Sequence, residues 1–232
     1  MFADISFRLT GLLLAAFLSG CSKPPSLLMQ TIDFETADFS QLKNPCSGCD
    51  KKDKKTPKII SGFAYEGQHS ARYQVNHKRS ESSTYRFFTE KDTEITLYIY
   101  IPADHFGPED KATVTQIIPW QRNCFEKGMF HLRVEKGYWA YYFRLGGVRR
   151  DIRTSIPVKY NAWNKVRIRG NFSSIDGYVQ FFVGNNSRVD VALGEPTFPD
   201  CPLGPYLKFG LYAGADAENV IFVDSVSIKQ KN

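Results

Sequence analysis

The feature that most constrains this chain is the spacing of its apolar residues, which alternate one for one with polar residues over most of its length and never settle into a helical interval. SARYQV, STYRFF, EITLYIYI, ATVTQII, MFHLRVE, YWAYYFRL, WNKVRIRG, GYVQFFVG, YLKFGLYA and NVIFVDSVSI carry this alternation or a β-branched and aromatic excess, and each reads as a strand. Turn-forming clusters, PADHFGPED, FSSIDG, GNNS and PDCPLGP, divide them at intervals that suit antiparallel connections. Each strand has one apolar face to cover, and the economical solution is an all-β antiparallel two-sheet sandwich. The 232 residues suit one such domain, expected over 30–232.

The first residues stand apart. Arg8 is followed by an apolar run from Leu9 to Leu18, too short to span a bilayer, then by small residues before Cys21, which is the pattern of an export signal over 1–20. Leu18-Ser19-Gly20-Cys21 resembles the bacterial lipobox, so Cys21 is expected to be lipidated, with 21–29 a tether holding the domain to a membrane. Ser22 is similar to the residue that directs such proteins to the outer membrane of the cell envelope.

Without Cys21, four of the five cysteines remain: Cys46, Cys49, Cys124 and Cys201. In an exported chain an even number reads as two disulfides, with Cys46–Cys49 and Cys124–Cys201 favoured among the connectivities the sequence leaves open. Cys46-Ser-Gly-Cys49 alone is half of a zinc motif, and no second close pair completes it. No dense acidic loop suggests calcium, and neither a metal nor a cofactor is expected. Serine triads, Walker loops and His-Glu-x-x-His motifs are absent, which removes support for hydrolase, kinase and metalloprotease chemistry.

The formal charge of +6 has two sources. Lys43, Lys51, Lys52, Lys54, Lys55 and Lys58 form a solvated loop with only Asp50 and Asp53 among them. Arg144, Arg149, Arg150, Arg153, Lys159, Lys165, Arg167 and Arg169 face a single acid, Asp151, in the same stretch. Such a field attracts a polyanion. Export argues against nucleic acid, and no helix-turn-helix or zinc-finger spacing occurs. A monomer is expected.

With Ile95, Leu97, Ile99 and Ile101 turned inward, Thr96, Tyr98 and Tyr100 turn outward; the same alternation sends His131, Arg133, Lys165, Arg167 and Arg169 outward. On GPYLKFGLYAG, Leu207, Phe209 and Leu211 face in while Tyr206, Lys208, Gly210 and Tyr212 share the other side. Rings and cations together suit a groove for a sugar chain bearing carboxylates or sulfates.

The order of these segments resembles the polysaccharide lyases of the heparin lyase I and alginate lyase type. FETADFSQL resembles their opening strand, KRSESSTYRF their Arg-x-Glu strand, TVTQII the strand whose Gln binds substrate, and GPYLKFGLYAG a Tyr-x-Lys-x-Gly-x-Tyr strand. NAWNKVRIRGNFSSIDGYVQFFVGN and VIFVDSVSI are similar to a Trp-led hairpin and a closing strand. The resemblance implies a concanavalin A-like jelly roll that cleaves uronate chains by β-elimination. It further implies that Arg79 and Gln116 hold the uronate carboxylate, that Lys208 adds positive charge and that Tyr212 moves the proton. Glu81 would position Arg79 at the substrate. His131, Arg133, Tyr98, Tyr100, Arg167 and Tyr206 are the further substrate contacts expected.

One departure matters. In alginate lyases a His follows that Gln by two residues, and here the position is Ile118. Two readings follow: an enzyme in which either His131 supplies an imidazole from the next strand or Tyr212 serves as both base and acid, or a lectin-like glycan-binding envelope lipoprotein. A sandwich with a purely structural role is a third.

Overall fold

The computed structural model describes residues 28–231 apart from 48, 50–55, 76–78, 108, 122–123, 125–127, 146–147, 185 and 214–217. The export signal, Cys21 and most of the lysine loop lie outside the described residues. Among those described, the strands are β1 (Leu28–Ile32), β2 (Lys58–Ser61), β3 (His69–Gln74), β4 (Arg79–Arg86), β5 (Asp92–Tyr100), β6 (Lys111–Pro119), β7 (Gly128–Glu135), β8 (Tyr138–Leu145), β9 (Val148–Pro157), β10 (Trp163–Asn171), β11 (Gly177–Val183), β12 (Ser187–Glu195), β13 (Pro205–Ala213) and β14 (Val220–Lys231). A 3₁₀ turn spans Ala103–His105, and no α-helix occurs among the described residues. β1 begins at Leu28, inside the segment read as tether, and Leu28 and Met29 pair with Gln230 and Lys229 of β14.

Two antiparallel sheets face each other. One has eight strands in the order β12-β11-β10-β5-β14-β3-β2, with β1 also on β14; the other has six in the order β4-β13-β6-β7-β8-β9. Ile95, Leu97 and Ile99 of β5, Val166 and Ile168 of β10, Leu132 and Val134 of β7 and Leu207, Phe209 and Leu211 of β13 meet in one buried core. Alternation therefore leaves their neighbours outside, on two separate outer faces.

Four strands, β1, β2, β9 and β12, are not among the segments read as strands from the sequence. β9 and β12 are the outer strands of their sheets, and most of their residues are exposed or half-buried. Edge strands carry charges that discourage pairing with another chain, and this polarity masks their period. β4 is the opposite edge of the six-stranded sheet, and it is covered. Lys43 and Asn44 donate their N–H groups to Ser83 O, Ser83 N–H donates to Asn44 O, and Ser47 N–H donates to Glu81 O at 2.7 Å. A Cys46–Cys49 disulfide closes this covering segment, and a Cys124–Cys201 disulfide ties the β6–β7 connection to the approach of β13.

Candidate active site

The outer face of the six-stranded sheet holds one cross-strand row: Ser83 of β4, Lys208 of β13, Gln116 of β6, His131 of β7, Tyr142 of β8 and Asp151 of β9 are successive register partners. Directly paired residues point to the same side of a sheet, so six strands deliver these side chains to one line. A second register pair, Arg79 with Tyr212, lies beside it. Gly210 shapes the strand between Lys208 and Tyr212. Its φ of 127° is left-handed-side backbone that favours glycine, and a Cβ there would stand 2.4 Å from Ser80 O and 2.7 Å from the Tyr73 ring. The glycine therefore serves a close backbone approach within a β-bulge, and it opens no gap toward solvent.

Arg79, Gln116, Ile118, Met129, His131, Arg133, Tyr142, Arg149, Tyr206, Lys208 and Tyr212 line a pocket of about 330 Å³. Beneath it Glu81, 1 % exposed, accepts hydrogen bonds from Gln116 Nε2 and, at 3.3 Å, from Lys208 Nζ. Lys208 also donates to the Ser47 carbonyl at 2.9 Å. Burial raises the Glu81 carboxyl, while Lys208, Arg79 and the Gln116 amide pull it back. Glu81 thus holds Lys208 and Gln116 from behind.

His131 is 7 % exposed, and neither ring nitrogen has a hydrogen-bond partner. Burial, then Arg133, Arg79 and Lys208, push its pKa down from 6.5 to about 3, so the imidazole is neutral in neutral solution. Its ring centroid lies 5.0 Å from that of Tyr142. Arg133 and Arg149 approach the Tyr142 ring at 4.6 and 5.1 Å and both donate to Asp151, at 2.8 and 2.6 Å. On the far side Tyr206 is buried, and desolvation together with Glu81 pushes its hydroxyl up to about 12, leaving it protonated as a donor.

Of the residues singled out in the sequence, Arg79, Gln116, Lys208, Tyr212, His131, Arg133 and Tyr206 come together here. Tyr98, Tyr100 and Arg167 do not. They sit on β5 and β10 of the eight-stranded sheet, where Tyr98 stacks on Tyr65 at 3.5 Å, Tyr100 packs against Phe63, and Arg167 lies 4.3 Å over Phe182. Alternation separates inside from outside but does not say which of two sheets owns a residue. The basic stretch divides the same way and finds acids from distant strands: Arg150 pairs with Glu195, Arg153 with Glu135 and Arg169 with Glu94. Met129 and Tyr142 line the pocket and were not singled out, and Arg149, which also lines it, was named only as part of the basic stretch. The outward parity of Tyr142, matching that of Arg144, was the available signal.

Two facing antiparallel sheets with a cationic pocket on the outside of one define a jelly-roll sandwich with an outer-face site. The chain belongs to the polysaccharide lyase family, whose model matches residues 32–227. Its fold is similar to an endo-β-1,4-glucuronan lyase from the fungus Trichoderma reesei, with a TM-score of 0.63 and 14 % identity over 87 % of this chain and 94 % of that one. It is also similar to an alginate lyase from Chlorella virus, with a TM-score of 0.56 and 10 % identity over 75 % and 89 % of the two chains. A further alginate lyase, Aly36B, gives 0.56 and 11 % over 88 % and 97 %. No curated protein matches the sequence.

Proposed function

We propose that this protein cleaves a uronate-containing acidic polysaccharide by β-elimination in this pocket. The observation that carries the reading is the row Lys208–Gln116–His131, set beside Arg79 and Tyr212, with an unpartnered neutral imidazole facing the same space as the cations. In β-elimination a base removes the C5 proton, the C5 electron pair forms the C4–C5 double bond, and the C4–O4 bond breaks as O4 receives a proton. Charge must first be stabilised on the carboxylate beside C5. Arg79, Lys208 and the Gln116 amide supply that stabilisation.

In this mechanism His131 takes the C5 proton and Tyr212 gives a proton to O4. Burial and Arg133 depress His131 first, and the next two cations that depress it, Arg79 and Lys208, are those that meet the carboxylate. Binding a uronate offsets their charge and raises the proton affinity of the imidazole as the reaction requires it. His131 would thereby fill, from the neighbouring strand, the role left open at Ile118. Export to the bacterial envelope and lipid attachment at Cys21 belong to the same proposal and are supported by residues 8–22 alone.

The test is to incubate the soluble domain with alginate, glucuronan, heparin and chondroitin and to follow the ultraviolet absorbance of an unsaturated uronyl product. Product from any of them, abolished in His131→Asn, supports the mechanism. Tight binding with no product from any polymer would favour the glycan-binding reading. Fatty-acid labelling lost in Cys21→Ala tests the anchor separately.

A further inference from the structure

Beyond Tyr206 the sheet carries a second hollow of about 290 Å³, walled by Lys43, Asn44, Ser47, Ser83, Trp120 and Tyr206 itself. Tyr206 is a wall of both hollows, so the two are adjacent along the sheet. We propose that this second hollow binds the neighbouring uronate unit of the same polymer, a proposal that rests on the lyase reading of the first. Trp120 meets Tyr206 edge to face with centroids 5.0 Å apart, and it offers an indole to the C–H face of a pyranose. Arg86 lies 5.6 Å from the Trp120 ring and Lys43 lies 5.7 Å from the Tyr85 ring. Neither cation has an ion pair among the described residues, whereas Arg133, Arg149, Arg150, Arg153 and Arg169 all do. Positive charge without an internal acid, next to an aromatic platform, is complementary to a sugar carboxylate.

The walls are fixed in advance. Ser47 lies inside the ring closed by Cys46–Cys49, Lys43 and Asn44 lie just before it, and all three are hydrogen-bonded along β4. Cys124–Cys201 ties the chain just after Trp120 to the chain just before Tyr206. A hollow held by two cross-links loses little freedom when a ligand enters, which favours binding.

The experiment measures affinity for glucuronan and alginate oligosaccharides of increasing length, by titration calorimetry in a Tyr212→Phe background that leaves the ligands intact. Affinity should rise with length in that background. In Trp120→Ala and Lys43→Ala the rise should flatten, with about tenfold weaker binding of the longer oligosaccharides and unchanged binding of the shortest one that binds. Trp120→Tyr, which keeps a ring, should restore most of the length dependence and so separates lost stacking from lost folding. An equal effect on every length, or none on any, overturns the second site while leaving the lyase reading in place. Absence of both binding and cleavage of all uronate chains by the unsubstituted protein overturns the two together.

Discussion

The guanidinium of Arg79 lies 3.9 Å from the ring centroid of Tyr212, its direct partner across the β4–β13 pair. The contact engages the ring face and makes no demand on the hydroxyl. Tyr212→Phe should therefore keep the stacked arrangement and the affinity for polyuronate while turnover falls by at least about a hundredfold, because only the proton-transferring group is removed. Steady-state kinetics alongside direct binding measures both quantities. Equal losses in the two would show that Tyr212 serves binding alone.

His131 sets a pH dependence of stability. Its pKa is about 3 in the fold against 6.5 unperturbed, so below about pH 6.5 the unfolded chain takes up a proton that the native chain refuses, and stability falls as pH falls. Glu81 acts in the opposite sense, since burial raises its carboxyl above 4.5 and the native state gains a proton first. His131→Gln removes the first contribution and leaves the second. Between about pH 6 and 4 the parent should lose about 1.4 kcal/mol per pH unit relative to the variant, read from urea unfolding. Parallel pH profiles would count against a native imidazole held neutral.

Glu81 and Lys208 form an ion pair with side chains 2 % and 6 % exposed. Breaking a buried pair strands a charge, so Glu81→Ala should cost about 3–5 kcal/mol of stability and abolish turnover. A double change, Glu81→Leu with Lys208→Met, should recover most of the stability and none of the activity. Recovered activity in that double variant would remove Lys208 from the mechanism.

Charge in the groove predicts ligand preference. Alginate or glucuronan should bind more tightly than a neutral β-glucan, with the advantage shrinking as sodium chloride rises from about 0.05 to 0.5 M. Salt-independent binding would point to ring stacking as the main attraction.

The sandwich was legible because core strands such as β5 and β10 bury one face and expose the other, which writes their period into the sequence. β9 escaped that reading because its alternation is between exposed and half-buried positions, and its arginines looked like one field until Glu135 and Glu195 arrived from other strands. Lys208 and Tyr212 were legible as a pair on one strand. His131 could be placed outside but not beside Gln116, because register between strands depends on pairing that no local pattern encodes. Tyr98, Tyr100 and Arg167 obey the same alternation and belong to the other sheet.

The carbonyl that Lys208 grips belongs to Ser47, which sits inside the small ring closed by Cys46 and Cys49. The position of the ammonium is thereby tied to a bond that persists in oxidising surroundings and opens in reducing ones. Opening that bond would free the Ser47 carbonyl to move and would loosen the lysine with it. In Cys46→Ser/Cys49→Ser, with the core and Cys124–Cys201 untouched, turnover should drop while unfolding stays cooperative. The cysteine pair would then act as a latch on the cleft, set by the redox state of its surroundings.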